Sequence, residues 1–500
     1  MSLLSDSVLS ALTTLLLIWG LLYARSSAEQ KPLPPGPKPL PLIGNLLYFP
    51  SRAPWLSYMT WAKDFGTDIL HLRLFRQSLI ILNTKEVCTD MLDKRSYSYS
   101  TRPSLTMAYE LMGWDTNLGL MPYGDKWRAC RRVIHSHTNN SAIHAYIRPL
   151  QSLCVHRFMR RMHTSETHTL EKEARLLASS LLLGTAYGIV PESSEDAYVL
   201  NAEAAMFPFI RAAAPGAYWV NVFPSLKYIP DWMPGARFKR DARVWRKLAQ
   251  DMVEVPFQAV QAAMVSGRML VCCHSTQEKK TITNAAGTIY AAGIDPLLAT
   301  ILHFFRAVLD RPDVQDRAAD EITASVGLDR LPTLDDMPRL SFITAILLEI
   351  LRHRPIAPLG FPHAYAGEEA DTFNGYKIPK ASIVLANIWS AVYPDPHEFR
   401  PERFLNPDGT LNDQVPNPCD LVFGFGRRVC VGRELAYTSV WLTIACVLRV
   451  YKVGKVPGDN PSSRLCTVGL GLAPARFRCT FTPRDAEAEA LMEATASTVD

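Results

Sequence analysis

Phe423-Gly-Phe-Gly-Arg-Arg-Val-Cys-Val-Gly432 is the stretch on which the reading of this chain turns. Gly424 and Gly426 permit a tight loop, and Cys430 stands just before a helical pattern that starts near Arg433. Backbone N–H groups at a helix N-terminus stabilise negative charge on sulfur, and glycines let a loop approach a flat macrocycle closely. A buried structural cysteine needs neither feature. The segment therefore suits an iron thiolate.

Working outward, helical periodicity dominates. Trp55 to Phe65, Lys85 to Lys94, Tyr123 to His135, Ile143 to Thr164, Leu170 to Tyr187, Ala242 to Val265, Thr281 to Leu309, Val314 to Ser325 and Leu340 to Arg352 all repeat apolar residues at three and four spacing. Strand-like runs are short: Ile69 to Leu74 with Leu79 to Leu82, Gly375 to Ile378 with Ser382 to Ala386, and Phe477 to Phe481. The fold class is mainly α with small β-sheets. Two charge patterns lie on this frame. Glu349 and Arg352 sit three apart on one helical face, and Pro401-Glu-Arg-Phe404 supplies Arg403; by spacing alone the first pair reads as a solvated surface ion pair. Trp127 and Arg131, four apart, share another face.

The 500 residues, 48% hydrophobic and 20% charged, provide ample core, and the net charge of +5 is mixed along the chain rather than blocked, which gives no sign of nucleic-acid binding. Ten cysteines without CxxC spacing argue against a zinc site or a disulfide scaffold and place the main domain in a reducing compartment. Val8 to Ala24 is uncharged, carries Trp19 and Tyr23, and is followed by Arg25 and Lys31, whereas Asp6 is the only charge before it. That pattern favours an uncleaved membrane anchor with its downstream side cytosolic over a cleaved signal peptide. The organisation expected is an anchor at 1–30, a proline-rich hinge at 31–47 whose apolar end (Leu40, Leu42, Ile43, Leu46, Leu47) docks onto the domain, one large domain at 48–485, and a loose tail at 486–500.

From Pro34 to about Arg484 the chain resembles the cytochrome P-450 family, the loop around Cys430 being similar to that family's heme-binding loop. The resemblance implies that fold as a single large domain behind an N-terminal transmembrane helix, and heme b (iron protoporphyrin IX) ligated by the Cys430 thiolate. It implies propionate contacts for Arg428, Trp127, Arg131 and His363, and a buried structural triad of Glu349, Arg352 and Arg403. His363 taken alone reads as a satisfied structural histidine. The implied partners are a membrane, an NADPH-cytochrome P-450 reductase and a small apolar substrate. The implied location is the endoplasmic reticulum, as a single-pass protein with a cytosolic catalytic domain. Phe223 to Pro230 and Trp232 to Arg240 look like fungal microsomal members of secondary metabolism and fall at the family's substrate lid.

The chain departs from that pattern in Ala291-Ala-Gly-Ile-Asp-Pro-Leu-Leu-Ala299: the family's acid is present as Asp295, taken as a catalytic residue, but Pro296 stands where threonine is usual. Proline should kink the helix there, and the missing hydroxyl leaves proton delivery to a nearby water or a substrate hydroxyl. Only four residues separate Trp389 from Pro394, and Gly267 to Thr281 also reads as short for the family. The leading expectation is a monooxygenase that oxidises a small apolar natural product, with a terpenoid as the resemblance's guess. The alternatives are an oxygen-independent heme-thiolate isomerase or dehydratase, and a heme-binding protein with little turnover.

Overall fold

The computed structural model describes residues 31–497 apart from 51, 139–142, 165–169, 215, 266–275, 390–392, 394, 459–464 and 469–470. The expected anchor lies outside the described residues, as does most of the short stretch after Gly267.

A central helix, Thr276–Asp310, organises the molecule. Its Leu298, Ile301, Phe304, Phe305 and Val308 are buried in a core shared with the helices Arg148–Thr164, Leu170–Tyr187, Ser341–His353 and Arg433–Val450. Gly293 admits the neighbouring helix closely: a Cβ there would lie 2.5 Å from a Leu182 methyl. The central helix is long and apolar enough to cross a membrane, yet 72% of its most apolar window is buried inside the protein, as befits a core helix. Trp441, fully buried, donates its indole N–H to the Thr344 hydroxyl at 3.1 Å and so fixes Arg433–Val450 against Ser341–His353.

The main sheet runs in the order Ile69–Leu74, Gln77–Leu82, Ile383–Ala386, His363–Ala364, with only the middle pairing parallel. Tyr376–Ile378 pairs with Asp371–Phe373 rather than with the strand ending at Ala386, because Gly375 closes a tight hairpin behind it.

Two expectations from sequence are corrected. The hinge does dock, but through its backbone: His71 donates its N–H to the Pro35 carbonyl and Lys377 to that of Pro32, while Asn45 accepts from Arg73 N–H at 2.8 Å. Leu42 is 88% exposed and Leu46 and Leu47 also face outward, while Leu40 and Ile43 are half-buried, so most of the hinge leucines do not do the docking. The C-terminal segment is no loose tail. Ala486–Ser497 is a helix capped by Asp485, which accepts from Ala488 N–H at 2.6 Å, and it buries Ala488 and Met492 in the main core. Four-residue spacing of those two apolar positions was the overlooked signal.

Candidate active site

The Cys430 loop is built as its glycines require. Gly424 and Gly426 have φ of +79° and +51°, and a Cβ at Gly426 would lie 2.5 Å from the Leu92 carbonyl oxygen. Cys430 N–H donates to the Phe423 carbonyl at 2.7 Å, and the helix Arg433–Val450 begins three residues later. Burial pushes the Cys430 thiol up, opposed by the Gly432 N–H and by Arg131 and Arg433. The side chain is nevertheless accessible, so it opens on an interior cleft rather than on bulk water. The central helix shows the same signature: Ala292 and Pro296, four apart, are accessible while Ala291, Ile294, Asp295 and Leu297 are buried. One stripe of that helix faces a cleft.

Beside the loop, cations gather without counter-charge. Trp127 and Arg131 lie on the helix Asp125–Thr138 as expected, and the Trp127 ring is sandwiched near two guanidinium groups, with Arg428 Cζ 4.7 Å and Arg131 Cζ 5.3 Å from its centroid. Arg428 donates to the carbonyls of Ser100, Leu118 and Met121 at 2.6, 3.2 and 2.6 Å. Arg102, which sequence reasoning missed, grips the same loop through Gly119 O at 3.1 Å and reaches Pro362 O at 2.7 Å. No carboxylate pairs with Arg102, Arg131 or Arg428 among the described residues. Burial lowers all three, and Arg428, pressed also by Arg131, falls to about 10. Three partly or wholly desolvated cations, Arg102 and Arg428 served by carbonyls and Arg131 by the Trp127 ring, make a site prepared for an anion. The Trp127 indole N–H is buried and has no acceptor among the described residues. His363 is buried and hydrogen-bonds the Tyr99 carbonyl through Nδ1 at 2.7 Å, so Nδ1 carries its proton and Nε2 is bare. Burial, with Arg102 and Arg428, takes the ring down to about 3. A neutral His363 accepts at Nε2 and donates to a carboxylate only when protonated. These residues fit a flat group that carries two carboxylates and a thiolate-seeking metal, as heme b does.

Glu349, Arg352 and Arg403 do come together, not as a surface pair but in the interior. Arg352 Nε and Arg403 Nε stand 2.6 and 3.0 Å from Glu349 Oε2, and Glu349 Oε1 also accepts from Arg400 N–H at 2.7 Å. Arg352 Nη1 ties Pro396 O at 2.9 Å, binding the segment beyond the short Trp389-to-Pro394 stretch to the helix. Asp295, on the central helix, is buried against the helix Leu170–Tyr187 with Oδ1 3.7 Å from Arg175 Nη1 and with Oδ2 unpartnered among the described residues. Burial raises its carboxyl, Arg175 lowers it, and Glu203 raises it further. The helix runs unbroken through Pro296, where Thr300 donates its hydroxyl to the Pro296 carbonyl at 2.8 Å, a back-bond that tilts helices.

Over the cleft, Asn221 clasps two elements: its Oδ1 accepts from Met107 N–H at 2.9 Å and its Nδ2 donates to Ala212 O at 3.0 Å. Lys227 meets Glu110 at 2.5 Å, and Phe223 and Trp219 pack on Phe75. Nothing in the local sequence marks Arg102, Arg175 or Asn221, whose partners lie far along the chain.

The family model described as cytochrome P-450 matches residues 34–481. The cytochrome P-450 monooxygenase COX2 of Coprinopsis cinerea is 39% identical over 94% of this chain and 92% of its own length. Cytochrome P-450 monooxygenase 98 of Postia placenta is 36% identical over 99% of both, and the tryptamine 4-monooxygenase of Psilocybe cyanescens is 35% identical over 95% of this chain and 98% of its own length. With matches that run through the Cys430 loop, the Glu349 triad and the central helix, the chain belongs to the cytochrome P-450 family, as a monooxygenase-type oxidoreductase whose cofactor is heme b held by a cysteine thiolate.

Proposed function

We propose that Cys430 is the heme-iron ligand, that Arg131, Arg428 and Trp127 meet the propionates with His363 lining their site, and that the enzyme oxidises a small apolar natural product of fungal secondary metabolism. The observation that carries this reading is the juxtaposition of the accessible Cys430 with the half-buried Arg131 and the buried Arg428, neither of which has a carboxylate partner among the described residues. When bound, heme supplies oxygen activation, which thiolate electron density favours. The chain's own groups do the rest. The helix start and Gly432 N–H hold negative charge on sulfur, Asp295 keeps a carboxylate oxygen with no partner among the described residues, and Asn221 ties Met107 to Ala212.

Apolar surroundings support the substrate class: Met107, Met112, Trp114, Phe209, Ala291 and Ile294 form one buried cluster that packs behind the accessible stripe of the central helix. Electrons come in this reading from an NADPH-dependent reductase, and the protein sits as a single-pass protein on the endoplasmic reticulum. Supporting the membrane side, Tyr228 and Trp232 of the lid are 77% and 80% exposed, and Trp219 and the hinge residues Leu42 and Leu47 face outward as well. The test is the reduced carbon monoxide spectrum. Wild type should show the long-wavelength thiolate band, Cys430→Ala should abolish it, and Cys446→Ala should leave it unchanged; a histidine-type band in wild type sinks the assignment. Consumption of both NADPH and oxygen with added reductase separates oxidation from isomerisation.

A further inference from the structure

The loop that serves the buried arginines is held to the central helix, among the described residues, by one hydrogen bond. Three threonines of that helix, Thr281, Thr283 and Thr300, donate to the carbonyl four residues back. Thr288, which is buried, does otherwise: its Oγ1 accepts from Leu118 N–H at 3.1 Å, and its own proton is left for the buried Cys130 thiol on the helix Asp125–Thr138. The rest of the loop is tied within itself. Asn117 Oδ1 takes Gly119 N–H, and the Asn117 carbonyl takes those of Leu120 and Met121. With each N–H from 118 to 121 engaged, the carbonyls of Leu118 and Met121 accept from Nη1 and Nη2 of Arg428. Leu118, Met121, Trp127, Cys130 and Ala285 pack around this contact as one small buried cluster.

We propose that Thr288 is a positioning residue for the anion site: through Leu118 it sets the carbonyls that aim the Arg428 guanidinium, and so sets how firmly the heme carboxylates are held. The proposal rests on the propionate contacts proposed above and adds a residue that acts through the loop rather than on the heme itself. A guanidinium bonded to several carbonyls keeps one orientation, whereas a loop freed at Leu118 lets those carbonyls turn and admits water, which competes for the cation. A cation held over the carboxylates also offsets their charge and favours the electron added on reduction of the iron.

Thr288→Val keeps the side chain's shape and removes the acceptor, while Thr288→Ser keeps the acceptor. Heme transfer from the full-length holoenzyme to excess apomyoglobin should quicken about tenfold in Thr288→Val, the size of one buried hydrogen bond, and stay within about twofold of wild type in Thr288→Ser. The ferric–ferrous reduction potential should fall in the first variant and hold in the second. Arg428→Lys should quicken transfer by itself, and Thr288→Val added to it should contribute less than about twofold more, because it acts through the guanidinium. If Arg428→Lys yields no holoenzyme, the contrast between valine and serine decides. Equal transfer rates in Thr288→Val and wild type overturn the proposal; faster amide exchange at Leu118 in that variant then locates the break between loop and arginine. Full additivity with Arg428→Lys overturns it too, as does a Thr288→Ser protein that loses heme as fast as Thr288→Val, since packing alone would then be at work. Wild-type heme retention in Arg428→Lys overturns the propionate contact itself, and the carbon monoxide band on the same samples reports separately on Cys430.

Discussion

Two interior walls, the Glu349 triad and the middle of the central helix, are built on opposite principles. The Glu349 carboxylate has two arginines and a backbone N–H around it. In the central helix, Pro296 brings no N–H to the helical ladder, Asp295 Oδ2 has no partner among the described residues, and Arg175 Nη1 stands 3.7 Å from Oδ1. The first wall is over-determined; the second is not. An interior can tolerate unsatisfied groups at a few places when tight pairing elsewhere fixes the fold.

Breaking the first wall should cost most. Glu349→Ala removes the carboxylate that the buried Arg352 and Arg403 share, and about 3–5 kcal/mol of stability should be lost, with heme content falling alongside, as read by urea unfolding and the carbon monoxide band. Glu349→Gln, which keeps shape and an acceptor, should recover part of both. Equal stability of wild type and Glu349→Ala would show that the triad is not what fixes this wall.

A change in the second wall should go the other way. Pro296→Ala restores a helical hydrogen bond and removes the ring from the Ala292 carbonyl, and the gain, up to ~3 kcal/mol, is offset by about 1 kcal/mol because proline also restricts the unfolded chain. A net rise of about 2 kcal/mol is expected in urea unfolding. A loss of stability would mean that the wall is packed around the proline.

The comparison is also sharpened by pH. His303, further along the central helix, is buried, its Nε2 lies 2.9 Å from Leu472 O, and burial chiefly depresses it to about 4. Between pH 6.5 and about 4 the unfolded chain takes a proton that the folded ring refuses, so stability is fully present above pH 6.5 and falls as pH drops through that window. At pH 5 the ring should cost about 2 kcal/mol relative to pH 8. His303→Gln, which can still donate to Leu472 O, should flatten that part of the pH profile; an unchanged profile would mean that His303 is protonated in the folded protein.

How much of this was legible in sequence follows the same division. The Cys430 loop, Glu349 with Arg352, and Trp127 with Arg131 are encoded at short spacing, where helix and loop geometry decide which side chains meet. Even there, spacing alone put Glu349 on the surface, and its burial depends on Arg403, fifty-four positions away. Arg102, Arg175 and Asn221 act through partners brought up by the fold, so their local sequence carries no signal. The helix Ala197–Ala213 was missed because Pro208 sits inside it and its mean character is apolar nearly all round. The hinge leucines misled because hydrophobicity was taken for burial, whereas backbone hydrogen bonds do the docking.

The smallest expected effect tests the roof packed against the second wall. Asn221 bridges Met107 N–H and Ala212 O, tying the short helix Trp219–Val222 to the helix Ala197–Ala213 and to the segment Thr106–Leu111. Lys227 with Glu110, and Arg246 with the carbonyls of Glu110 and Leu111, fasten the same segment from further along. Since those ties remain, Asn221→Ala should lower global stability by only about 1 kcal/mol. Its local consequence should be larger: amide hydrogen exchange at Met107 and its neighbours should quicken, because that N–H loses its acceptor, while exchange in Arg433–Val450 stays unchanged. Ligand should also leave the cleft faster, with adamantane release measured by the heme band after dilution. If exchange at Met107 stayed protected in Asn221→Ala, the Glu110 contacts alone would hold the roof closed, and the clasp would be a feature of packing rather than of access.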